Sequence, residues 1–101
     1  MDFTPEQIEN IELLAGINYT VTQIAMYLDI PAGELYRQFG QKDSTFRHHY
    51  DRGKLLGQAK VDMDLLKSAQ GGNMTAKQQF EKVRQTRHFE NMRDQKIYGD
   101  S

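Results

Sequence analysis

Apolar residues along this chain recur at helical spacing, and each run is bracketed by a start signal and a stop signal. Thr4-Pro5-Glu6-Gln7 places a hydroxyl at the N-cap, proline at the first helical position and glutamine at the third, the pattern of a capping box. It predicts a helix with Ile8, Ile11, Leu14 and Ala15 on its inner face, closed by Gly16 in the left-handed conformation. Thr20-Val21-Thr22-Gln23 repeats the box and opens a short second helix with Val21, Ile24, Ala25 and Leu28 inward. Pro31 cannot continue that helix, so the chain turns through Asp29-Ile30-Pro31 into a third short helix carrying Leu35, Tyr36 and Phe39 and ended by Gly40. Asp43 or Ser44 caps a fourth, long helix that runs without proline to about Gln70, where Gly71-Gly72 stops it. Asn73 caps a fifth helix, Met74 to about Arg93, and the tight reversal at 71–73 predicts an antiparallel hairpin. Gly99-Asp100-Ser101 is expected to fray. Strand alternation is missing from the pattern.

The expected fold is therefore all-α: a three-helix head over residues 1–42, then a long helical hairpin over 43–101. With 101 residues, 38% of them hydrophobic and no Trp, one copy buries a thin core, which favours self-association. Absence of Cys rules out disulfides, thiolate nucleophiles and cysteine-ligated zinc and fits a reducing compartment, so the expected location is cytoplasmic. The acidic N-terminus lacks the marks of an export signal, and no apolar run approaches the ~20 residues that span a bilayer. Net charge is -1, yet it is unevenly spread: residues 1–35 carry -6, residues 36–60 carry +4 and residues 61–101 carry +1.

Two short helices at a sharp turn, with small Ala25 on the inner face of the first and Leu35 on that of the second, describe a helix-turn-helix. Ile24-Ala25, Asp29-Ile30-Pro31, Gly33, Leu35-Tyr36, Phe39, Lys42 and Phe46 resemble that motif in TetR-type repressors and in phage terminase small subunits, over residues 20 to 50. Fifty-one residues follow residue 50, where a TetR-type repressor carries a long ligand-binding domain. That stretch is more similar to terminase small subunits: Phe46 and Tyr50, then Arg52-Gly53-Lys54, Val61 and Leu65, and a Gly72-Asn73 reversal followed by Ala76, over residues 46 to 80.

This resemblance implies a non-catalytic subunit that recognises viral double-stranded DNA for packaging. It would act in the host cytoplasm as a homo-oligomeric ring beside a large terminase subunit that supplies ATPase and nuclease chemistry. A small transcription regulator with the same head and a structural helical adaptor are the alternatives.

In the third helix Ala32, Glu34, Arg37, Gln38 and Gln41 are the expected exposed positions. Arginine reaches guanine edges and glutamine adenine edges, so Arg37 and Gln38 are the expected base readers, while Glu34 opposes the phosphate backbone. Lys42, Arg47 and Lys54 are the expected phosphate contacts, with Arg52 a further basic side chain on the long helix. On that helix, with Leu55 set to zero, Ala69, Leu66, Ala59, Met63 and Leu56 fall between about 320° and 100°, while Val61 and Leu65 lie near 240° and 280°. Met74, Phe80 and Val83 of the partner helix are expected to cover the main stripe, leaving Val61 and Leu65 for a neighbouring subunit. Adjacent His48 and His49 point about 100° apart on a helix and His88 lacks a nearby partner in sequence, so no metal or cofactor is expected. The Asn18-Tyr19-Thr20 and Asn73-Met74-Thr75 triplets read as turn and cap residues, and no nucleophile, base or phosphate-loop pattern points to an enzyme.

Overall fold

Capping chemistry sets the element boundaries in the computed structural model, which describes the backbone of residues 2–98 and the side chains of residues 2–94. Five helices follow in order: α1 (Pro5–Gly16), α2 (Val21–Leu28), α3 (Ala32–Phe39), α4 (Thr45–Gln70) and α5 (Met74–Tyr98). Among the described residues there is no strand, and no helix is long and apolar enough to cross a membrane. Gly99-Asp100-Ser101 lies outside the described residues.

Both capping boxes form. The Thr4 hydroxyl accepts the Gln7 amide N–H at 3.1 Å and the Gln7 side chain accepts the Thr4 N–H at 2.9 Å; Thr20 and Gln23 repeat the same pair of distances. For α4 the cap is Ser44, whose Oγ accepts the Arg47 N–H at 3.1 Å while donating to the Gln38 carbonyl at 2.6 Å, tying the start of α4 to the end of α3.

Three helix ends share one device. At Asn18, Asp29 and Gly72 the backbone is left-handed, with φ of 68°, 58° and 94°. The residue after each one reaches back across the turn: Tyr19 N–H to Leu14 O at 3.0 Å, Ile30 N–H to Ala25 O at 2.9 Å and Asn73 N–H to Ser68 O at 3.3 Å. These are Schellman closures, which satisfy the last carbonyls of each helix. The left-handed residue after α1 is Asn18, not the expected Gly16, which is the last residue of α1 and lies against the backbone of Gly53 and Gly57 on α4.

The chain divides into two compact units, Met1–Ala59 and Lys60–Ser101. In the first, α2 packs on α3 and α1 on α2 around a core of Ile11, Ala15, Val21, Ile24, Ala25, Leu35 and Phe46. This unit continues past residue 42 because fully buried Phe46 belongs to its centre, flanked by Phe3 at 6.4 Å and Tyr50 at 5.8 Å between ring centroids. At Gly53 and Gly57 the contact between α1 and α4 is made backbone to backbone. A Cβ placed on Gly53 would lie 2.6 Å from the Glu12 Cα, and one on Gly57 would lie 2.7 Å from the Gly16 Cα. Spacing of four residues puts Gly53 and Gly57 on one face of α4, and their lack of side chains lets α1 approach.

In the second unit the end of α4 reverses at Gly71-Gly72-Asn73 into α5, and Asn73 caps α5 by accepting the Ala76 N–H at 3.0 Å. Arg87 on α5 donates to Asp62 on α4 at 3.3 Å across the reversal, the pairing of an antiparallel helical hairpin. Phe80 and Val83 are half-buried as expected, but Met74 is exposed and buried Ala76 takes the inward position at the head of α5.

Candidate nucleic-acid interface

The α2 helix, the Asp29–Pro31 turn and α3 build one surface. Buried Ala25 and Leu35 hold the two helices together. Across them the Thr22 and Tyr36 hydroxyls are hydrogen-bonded at 2.9 Å on the exposed side. The phase of α3 leaves Gly33, Tyr36, Arg37 and Gly40 exposed, with Ala32, Glu34 and Phe39 half-buried.

Two expectations for this helix are corrected. Gln38 is 5% exposed, and its Nε2 donates to Glu34 Oε1 at 3.4 Å, so it is a buried side chain tied to its own helix and not the exposed base reader expected. Tyr36, expected to turn inward with Leu35 and Phe39, is 49% exposed and offers a hydroxyl from the outer face. A two-turn helix has room for one inward stripe, and Leu35, Gln38 and Phe39 fill it.

Arg37 is exposed, but it is paired within its own helix. Its Nη2 lies 2.5 Å from Glu34 Oε1 and its Nε lies 3.3 Å from Glu34 Oε2. The Arg37 guanidinium, followed by the Gln38 amide, holds the Glu34 carboxyl below its ordinary value, and the same pairing raises that of Arg37.

The expected phosphate contacts separate into two kinds. Lys42 is exposed in the segment that follows α3, and Lys54 is exposed on α4 with its ammonium 5.4 Å from the Tyr50 ring centroid. Both present charge to solvent. Arg47, by contrast, is occupied within the protein: its Nε donates to Asp51 at 2.9 Å, its Nη1 donates to the Phe39 carbonyl at 2.8 Å, and its guanidinium stacks 4.3 Å above the Phe39 ring. These contacts clamp the end of α3 to α4 and leave the side chain 32% exposed.

A second polar cluster joins α1 to α4. Glu12 accepts from His49 Nδ1 at 2.7 Å and from Arg52 Nη1 at 2.6 Å. His49 and Arg52 are three apart and share a helix face, but their partner lies 37 and 40 positions earlier, a separation that leaves no local signal. Among the described residues no group of three or more His, Asp or Glu is placed to hold a metal ion. Of the expected oligomer contacts, Val61 is 60% exposed and Leu65 is half-buried. Comparison with protein-family profiles, with curated proteins and with solved structures finds no match to this chain.

Proposed function

We propose that this protein is a non-catalytic DNA-recognition subunit of a viral genome-packaging machine. In this reading it acts in the host cytoplasm beside a large terminase subunit and presents α3 to the major groove of double-stranded DNA. The observation that carries the reading is the α2–turn–α3 unit itself. Its two helices are fixed by buried Ala25 and Leu35 and by the Schellman closure at Asp29, and the outer face of α3 stays open at Gly33, Tyr36, Arg37 and Gly40. Glycines at the two ends of that face let a helix backbone come close to a groove wall. Arg37 is the base-edge candidate and Lys42 and Lys54 hold phosphates.

The test is binding of a labelled mixed-sequence duplex at tens of millimolar salt. Lys42→Ala with Lys54→Ala should weaken binding to all sequences alike and flatten the salt slope by about two, roughly one per phosphate contact. Arg47 is left intact, since its removal would disturb the fold. Unchanged binding by the double variant would remove these lysines from the interface, and no duplex binding by the natural chain would remove the function.

The reading includes assembly into a closed homo-oligomer through the Lys60–Ser101 unit. Exposed Val61, Met63, Phe89 and Met92 give this unit apolar surface beyond its own interior. Burying such surface on a neighbour gains roughly 25 cal/mol per Å² before association costs, and several tethered DNA-binding units raise effective concentration at the duplex. Sedimentation at tens of micromolar should show a multimer for the natural chain and a monomer for Val61→Asp with Leu65→Asp. A monomeric natural chain would remove the ring.

A further inference from the structure

Beside the exposed face of α3 stands a half-buried carboxylate, where a generic DNA-binding surface would carry none. Glu34 stands one turn before Arg37 and engages it with both oxygens, Oε1 with Nη2 at 2.5 Å and Oε2 with Nε at 3.3 Å. The carboxylate has a second tether besides the arginine: the Gln38 amide donates to Oε1 at 3.4 Å, and Gln38 is itself buried. One side of the guanidinium, the Nε/Nη2 edge, is therefore closed. The fork formed by Nη1 and Nη2 remains directed away from Glu34.

We propose that Glu34 is a positioning residue that sets sequence selectivity by fixing Arg37 so that its Nη1/Nη2 fork, and not its Nε edge, meets DNA. The inference rests on the DNA-binding reading above. An arginine free to swing finds a phosphate oxygen on any sequence and adds affinity without discrimination. Glu34 opposes that in two ways. Its charge makes close approach of a phosphate at this point of α3 unfavourable on every sequence, and its two-pronged hold restricts Arg37 to one orientation. A guanine edge, with the O6 and N7 acceptors side by side and no full charge, matches that end-on fork and is not repelled by the carboxylate as a phosphate is. The buried Gln38 amide, which makes no base contact itself, serves the same arrangement by keeping the carboxylate in place.

Simple removal of a negative charge also strengthens binding to a polyanion, so the experiment must separate positioning from net charge. The natural chain, Glu34→Gln, Arg37→Gln and the double variant would be measured against a labelled mixed-sequence duplex over a range of salt. Each would also be used to select from a duplex library with a randomised centre. Glu34→Gln should bind the mixed-sequence duplex severalfold more tightly, with a salt slope steeper by about one as Arg37 turns to phosphate. Its selected pool should lose the guanine preference that the natural chain enriches. Arg37→Gln should cost more binding to the mixed duplex when added to Glu34→Gln than when made in the natural chain, whereas two independent point charges would give equal costs. Equal costs, or a Glu34→Gln pool as selective as the natural one, overturns the role of Glu34 while leaving DNA binding in place. So does weaker mixed-duplex binding by Glu34→Gln. A natural chain that binds no duplex removes the DNA-binding reading and this role with it. Far-UV circular dichroism of the four proteins should superimpose, since Glu34 and Arg37 both lie at the surface of α3.

Discussion

Gly53→Ala is expected to destabilise the protein by about 3 kcal/mol or more, while the same substitution at Gly33 is expected to stabilise it by about 0.5–1 kcal/mol. Both glycines lie inside helices, where replacement by alanine relieves the entropic cost that glycine carries, so helix propensity alone predicts a gain at each. Packing decides the sign. At Gly33 no atom lies within 4 Å of an added Cβ, and the propensity gain is kept. At Gly53 the added carbon meets the Glu12 Cα at 2.6 Å and the Glu12 carbonyl closer still, and both belong to backbone that no rotamer change can move. The α1–α4 pair has to separate, loosening the layer above Ile11, Ala15 and Phe46. For a unit of this size, whose total stability is of order 0.05–0.15 kcal/mol per residue, that loss is a large fraction of the whole. Urea unfolding followed by far-UV circular dichroism reads both signs. A Gly53→Ala protein as stable as the natural chain would show that the helices part at little cost.

Gly53 and Gly57 also mark the limit of what the sequence discloses. Features fixed by residues within one or two turns of each other are legible: the Thr4/Gln7 and Thr20/Gln23 boxes, the Gly72-Asn73 reversal, and the inward stripe of Ile11, Ala15, Val21, Ile24, Ala25 and Leu35. Each is a local pattern whose physical cause lies inside the pattern. What escapes is whatever depends on a neighbour far along the chain. Gly16 does end α1, but the left-handed turn falls two residues later at Asn18, which tolerates that conformation, and Gly16 meets the backbone of Gly57 on α4. Arg47 reads as an exposed base, and its contacts with the Phe39 ring and carbonyl eight residues earlier leave no signal in the sequence. Gln38 looks like a base reader because polar residues default to the surface, but α3 spans two turns and the inward stripe passes through it. For the candidate site, Arg37, Lys42 and Lys54 were legible as exposed bases. The Tyr36 orientation, the Thr22 hydroxyl beside it and the Glu34 hold on Arg37 required the structure, although the three-residue spacing of Glu34 and Arg37 was there to be read.

Glu12→Ala is expected to cost about 1–3 kcal/mol near neutral pH, because it leaves His49 and Arg52 without their shared acceptor at the α1–α4 contact. The side chain of Glu12 is 16% exposed, so water replaces the lost bonds poorly, whereas the half-exposed Arg52 recovers part of its hydration. The cost should depend on pH in a direction set by the carboxylate. Hydrogen bonding from His49 lowers the Glu12 pKa; burial opposes the shift, and the Arg52 hydrogen bond and charge add to it, leaving the folded-state value below the ordinary one. Between the two values the unfolded chain binds more protons than the folded one, so stability rises with pH across that window. Stabilisation by Glu12 is therefore fully present above the unfolded value, about 4.3, and is lost as pH falls through the lower folded value. In urea unfolding, the gap between the natural chain and Glu12→Ala should shrink as the pH falls through the carboxylate range, below about 5. Glu12→Gln, which keeps an acceptor oxygen but cannot ionise, should show a smaller gap at neutral pH that closes over the same acidic range. A gap that persists undiminished well below that range would mean that Glu12 acts through packing alone. In that case the charge on the α1–α4 contact contributes nothing to holding the first unit together, and packing, including the close approach at Gly53 and Gly57, carries it.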